Sequence, residues 1–292
     1  MNKKIFLSFA MIAAVAAIGI GATTAFFADT ETSTGNTFTA GAIDLTVDST
    51  AHYDGLICVA NIDAPGYHWA LENAQVPSTR PDLIDKACGG SWLLTNLGPT
   101  NQFFNISDLK PGDQGENTIS LHVDNNDAYA CADVRITSNA ENSVLQPEIA
   151  VGDSTTTVGN FDGELAQNVN FFAWADNGVT STDGQIGKGD NVWQVGEPAL
   201  FTNGVGPASD VLGGKSYMLA GPGNALPSGS TSYIGLAWCA GSMTAVNGVI
   251  TCNGAAMGNI TQTDSMTADV TFRVEQARNN PNFTCVLPQL VE

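Results

Sequence analysis

Positive charge is what this chain has least of. Lys and Arg number 10 against 29 Asp and Glu, and charged residues make up only 13% of the 292. Proteins hold phosphate backbones through lysine and arginine clusters, so with no such cluster nucleic acid is not an expected partner. Anionic membrane surfaces fall to the same argument. Histidine is almost as scarce. His52, His68 and His122 are the whole supply, and no H-E-x-x-H occurs, so zinc-peptidase chemistry lacks its usual ligands and general base. G-x-S-x-G is missing, which removes the nucleophile elbow. C-x-x-C is missing, which removes a zinc ribbon or a thioredoxin-like redox centre. No catalytic residue is assigned, and an enzyme is not expected. Helical periodicity is short as well. Residues 81–87 and 164–168 are its best stretches, too little for a bundle, and no strand alternates with a long helix as an α/β fold requires.

What is present reads as β-structure. Ile43, Leu45 and Val47 alternate with polar residues, and the same period of two recurs in residues 119–123, 134–136 and 270–274. That is the pattern of a half-buried antiparallel strand. Pro111 and Gly112 sit at the centre of a tight turn just before the strand at Ile119, and Asn125-Asn126-Asp127 ends that strand. His122, opposite in phase to Leu121 and Val123, is expected to point outward. The 31 glycines, 12 prolines and 43% hydrophobic content suit sheets and turns. The expected fold is all-β: a jelly-roll-like antiparallel β-sandwich with long loop insertions near residues 50–103 and 177–227.

The N-terminus carries an address. Lys3 and Lys4 precede an apolar run of about 18 residues, near the lower limit for a bilayer span. Thr23-Thr24-Ala25 then gives the small-residue boundary of a secretory signal peptide. Cleavage is expected between Ala25 and Phe26; a retained anchor is the alternative. The domain reading is signal 1–25, N-terminal segment 26–37 and one elaborated sandwich 38–292. Loss of Lys3 and Lys4 leaves 8 basic residues against 29 acidic, a net charge of −21. An acidic surface of this kind favours solubility and divalent cations. No sorting signal or apolar stretch follows Cys285.

Six cysteines in an exported chain point to disulfides, and six allow 15 pairings that sequence cannot decide. Cys239 and Cys252 flank a turn region fit for a hairpin and form the first candidate pair. Cys58 with Cys88 would close the segment between them, leaving Cys131 for Cys285.

Two stretches together carry a family resemblance. Phe27-Ala28-Asp29 followed by Asn36-Thr37-Phe38-Thr39-Ala40-Gly41-Ala42-Ile43-Asp44-Leu45, and later Leu109-Lys110-Pro111-Gly112-Asp113, resemble the TasA/camelysin family. The resemblance covers about residues 1–48 and 104–137 and departs from better-known members in its six cysteines and in the long segment between the two motifs. It implies processing by a SipW-type signal peptidase and an extracellular jelly-roll subunit. It also implies polymerisation with itself, head to tail, into biofilm-matrix filaments, touching the membrane only through the signal. The N-terminal segment would be added as a strand to the neighbouring subunit, with Phe26, Phe27 and Asp29 in the donor strand, residues 26–36. Such addition supplies ladder hydrogen bonds and alternate side chains to an incomplete sandwich, and a head-to-tail contact propagates.

Two further readings stay open. A camelysin-type secreted metallopeptidase is one. The other is a monomeric calcium- or carbohydrate-binding surface module, with Trp69, Trp92, Trp174 and Trp193 as sugar platforms. Calcium has a candidate site in Asp176, Asn177, Asp190 and Glu197, which resembles a stretched calcium loop. Oxygen donors at alternate positions with glycines between them suit that ion, although the spacing is not that of an EF-hand.

Overall fold

A computed structural model describes residues 28–31, 43–73, 78–153, 159–181 and 184–289. The expected signal, its Ala25–Phe26 junction, and Phe26 and Phe27 of the expected donor strand lie outside these. The strands in chain order are β1 (Ala28–Glu31), β2 (Asp44–Tyr53), β3 (Leu56–Ala60), β4 (Tyr67–Leu71), β5 (Trp92–Thr95), β6 (Gln114–Asp124), β7 (Ala128–Ala140) and β8 (Val169–Ala175). There follow β9 (Asn177–Ser181), β10 (Gly184–Lys188), β11 (Gly206–Pro207), β12 (Lys215–Ala220), β13 (Ser230–Ala240), β14 (Ser242–Val246), β15 (Val249–Asn253) and β16 (Ser265–Gln276). Helix is confined to short pieces such as Pro81–Leu83, Gln146–Ala150 and Leu165–Asn168, two of which fall where the weak helical periodicity lies.

Two antiparallel sheets face each other. One runs β1-β16-β7-β12, and the other runs β11-β8-β13-β6-β2-β3-β4, with β5 also on β2. From β6 onward the long strands alternate between sheets, the crossing habit of a jelly roll, and the fold is the all-β sandwich that the alternation predicts. The reason is visible in β2, where Leu45, Val47, Ser49, Ala51 and Tyr53 point inward and Asp44, Thr46, Asp48, Thr50 and His52 point outward. Leu45 and Val47 are fully buried against Phe272 and Val274 of the opposite sheet, each such side chain contributing about 1.5–3 kcal/mol.

The two expected insertions are partly built into the sheets. Residues 50–53 complete β2, and β3 with β4 widens the eight-stranded sheet. Within 177–227, β12 pairs with β7. The physical reason is that β2 and β7 would otherwise present free backbone edges.

Disulfides join Cys58–Cys88, Cys131–Cys285 and Cys239–Cys252. The last brackets the β14/β15 hairpin, whose Asn247-Gly248 turn has positive φ at both residues, as a two-residue hairpin requires. Cys131–Cys285 pins the C-terminal tail over the outer face of β7, where Phe283 packs on Tyr129.

Candidate assembly edge and groove

The four-stranded sheet ends in an edge that is half covered. β1 pairs antiparallel with β16 over four positions, Ala28 opposite Glu275 through Glu31 opposite Phe272. Residues 265–271 of β16 have no strand on that side among the described residues. Beneath this edge the sheets do not close fully. A cleft of about 750 Å³ opens between them, lined by Phe104, Phe171 and Trp238 on one side and Val134, Met266 and Val270 on the other. Its size is that of a substantial ligand pocket. Asp29, in the expected donor strand, lies on β1; thus the part of that segment which is described sits against the chain's own β16.

The Leu109–Asp113 motif has a structural role beside this groove. Asp113 Oδ2 accepts from the Lys110 main-chain N–H (2.8 Å) and from the Tyr53 hydroxyl (2.6 Å), and Arg80 donates to that hydroxyl (2.7 Å). Gly112 N–H donates to the Ala240 carbonyl, and Ala240 N–H to the Asp113 carbonyl. Gly112 has φ 91°, which favours glycine, and a Cβ on Gly254 would collide with the main chain of Pro111 and Gly112. Burial raises Tyr53 above the usual phenol range, with Asp113 adding to it. Burial and the Asp113 charge push Asp54 to about 6. The motif fastens the start of β6 to β13 and the Cys239–Cys252 hairpin.

The expected calcium residues form a different kind of site. Asp176 and Glu197 are both buried, but their oxygens are answered by main-chain donors. Asp176 accepts from Gly189 and Asn191, and Glu197 from Gly178 and Gln194, at 2.8–3.2 Å. Asn177 accepts from Tyr233 N–H, and Asp190 from Val192 N–H and the Gln194 amide. Burial, reinforced by Glu197 and Asp190, outweighs the two N–H donors and puts Asp176 at about 7. Each carboxylate oxygen of Asp176 and Glu197 is thus met by a main-chain N–H of the loop, and none is left without a donor.

The histidines are dispersed. His122 Nε2 lies 2.7 Å from Asp48 and its other nitrogen 3.0 Å from the Thr231 hydroxyl, on the outer face as its phase predicts. His52 is six β2 residues from the position opposite His122, about 20 Å of strand, and contacts Glu72 at 3.1 Å. His68 meets Asn61 at 2.8 Å. No two of them share a point where one metal could sit. Trp174 is fully buried and Trp69, Trp92 and Trp193 are half-buried, so none stands out as a flat sugar platform.

Residues 1–71 match the family model described as camelysin metallo-endopeptidase. The similarity covers 71 of the 292 residues, all in the N-terminal part. No curated protein and no solved structure matches the chain. The camelysin-like portion ends with the last residue of β4, so it contains β1 to β4 but neither β16 nor any residue lining the groove. Three disulfides fit an exported protein; no helix among the described residues is long and apolar enough to cross a membrane.

Sequence reasoning missed one group of residues altogether. Glu141, Glu148, Asp153, Glu164 and Asp264 converge at the far end of β16, although more than a hundred residues separate the first from the last and no spacing motif joins them.

Proposed function

We propose that this protein is a non-enzymatic, exported structural subunit that forms extracellular or surface filaments by donating its N-terminal strand to a neighbouring copy. One observation carries the reading: among the described residues, the β16 edge is covered at four positions by the chain's own β1, above an apolar cleft between the sheets. The occupant is the 26–36 segment of the next subunit. Its backbone would satisfy the edge donors and acceptors, and Phe26 and Phe27 would leave water for an apolar lining. Because donor and acceptor are different surfaces, the contact propagates head to tail. A SipW-type peptidase cutting between Ala25 and Phe26 would free the strand. The dispersal of the three histidines supports a structural over a peptidase reading. The test is electron microscopy of protein starting at Phe26 beside protein lacking residues 26–36. Filaments are expected from the first and monomers from the second; equal filament formation by both overturns strand donation.

A further inference from the structure

The densest gathering of carboxylates lies at one end of the cleft, which Asp264 also lines, where five of them from four separated segments meet. Glu141 follows β7, Glu148 lies in the helix Gln146–Ala150, Asp153 comes just after it, Glu164 precedes the helix Leu165–Asn168, and Asp264 precedes β16. Ligand oxygens of Glu141, Glu148 and Asp264 lie within 4.8 Å of one another, as do those of Glu141, Asp153 and Glu164. Two oxygens facing each other across a calcium ion are separated by about 4.6–5.2 Å, twice the Ca–O distance.

Proximity alone would be weak; the orientation of the oxygens is what points to a ligand. Glu141 and Glu148 are both 0% exposed. Glu141 Oε1 accepts from Ser143 N–H (3.0 Å), and Glu148 Oε2 from Leu145 N–H. Asp264 Oδ2 accepts from the N–H groups of Glu164 (2.6 Å) and Leu165 (3.0 Å). In each case the main chain holds one oxygen and aims the other elsewhere. Those other atoms, Glu141 Oε2, Glu148 Oε1 and Asp264 Oδ1, are buried without a hydrogen-bond partner, as is Glu164 Oε2. No described ion pair reaches Glu141, Glu148, Glu164 or Asp264. Buried acceptors in such number are costly unless a cation or protons answer them.

We propose that Glu141, Glu148, Asp153, Glu164 and Asp264 form a calcium-binding site, with Glu141 common to both of its carboxylate triplets. The donors are all hard oxygens with no imidazole or thiolate, which disfavours zinc. Magnesium keeps several waters, and a site whose central glutamates have no exposed surface leaves little room for them. The bound ion would tie the 141–164 excursion to the start of β16, joining the end of β7 to the first residues of the strand beside it.

Protons are the rival occupant. Burial first, and then neighbouring carboxylates, raise Glu141, Glu164 and Asp264 above the ordinary range, and Glu141 and Asp264 approach closely enough to share a proton. Titration calorimetry and thermal melts of the EDTA-stripped protein, with calcium and with magnesium, separate the two. One or two calcium ions per chain are expected, with Tm raised by about 5–10 °C at a hundredfold excess over Kd and a much smaller response to magnesium. Glu141→Gln and Glu148→Gln should each weaken calcium binding at least tenfold, while Asp190→Asn should leave it unchanged. The proposal is overturned if the wild-type protein shows no heat and no Tm shift at millimolar calcium. It is equally overturned if both glutamine variants keep the wild-type response, which would place the ion elsewhere or leave the cluster to protons.

Discussion

Two acidic regions of this molecule use the same residue types to opposite ends. In the 176–197 loop, Asp176 and Glu197 are each met by two main-chain N–H groups. At the 141–264 cluster, Glu141 and Glu148 are as deeply buried, yet each keeps one oxygen without a donor. In the first region carboxylates organise a loop. In the second, main chain organises carboxylates. The lesson is that acidic residues in a glycine-rich loop say little about a cation until the backbone donors around them are counted.

The sharpest way to break this comparison is to make one substitution in both places. Glu197→Gln exchanges an acceptor for an NH₂ that must face either Gly178 N–H or Gln194 N–H. It should cost about 2–3 kcal/mol, with or without calcium, read as the urea midpoint. If Glu197→Gln proves neutral, the backbone is not what that carboxylate serves.

Next in size is the response to pH. Glu116 and Asp176 stand at about 7 and Asp54 at about 6, burial being the first cause in each. Carboxyls raised in the folded state bind protons more tightly there than in the unfolded chain, so stability falls as pH rises from the unfolded values near 4 through the folded ones. In EDTA the protein should therefore be more stable at pH 5 than at pH 8, by on the order of 1–2 kcal/mol after allowance for relaxation. Calcium should flatten that profile, because protons displace the ion. A Tm that climbs with pH in EDTA would contradict the assignment.

The smallest effect is expected from Glu141→Gln without calcium. Relief of repulsion among buried carboxylates should stabilise by about 1 kcal/mol or less, opposite in sign to Glu197→Gln. A loss comparable to that of Glu197→Gln would erase the distinction between the regions.

The fold was legible where a strand buries one face. Alternation at Ile43, Leu45 and Val47, at 119–123 and at 270–274 falls on β2, β6 and β16. The turn at Pro111-Gly112 and the hairpin between Cys239 and Cys252 were legible because their conformations demand particular residues. Residues 56–71 were harder. β3 buries Leu56 and Cys58 but is apolar at every position, and no β4 residue is fully buried, so neither strand shows a period of two in the sequence. The carboxylate cluster was invisible because its members are distant in sequence and become neighbours only when β16 pairs with β7. The cleft was equally hidden, since a space between sheets has no residue of its own.

If assembly runs by the strand donation proposed above, the half-covered edge of β16 would also make each subunit its own competitor. A strand tethered to its own sheet is present at millimolar effective concentration, so a neighbour's strand gains nothing from proximity alone. The internal pairing spans four positions among the described residues, however, while the strand it uses runs from Ser265 to Gln276. A donated segment of eleven residues, 26–36, could pair along far more of it. Growth of a chain of subunits then becomes a trade of a short, always-present pairing for a longer one that needs a partner. On that reading the exchange would have a threshold concentration and a lag before filaments appeared, and a dilute solution of subunits would keep itself closed.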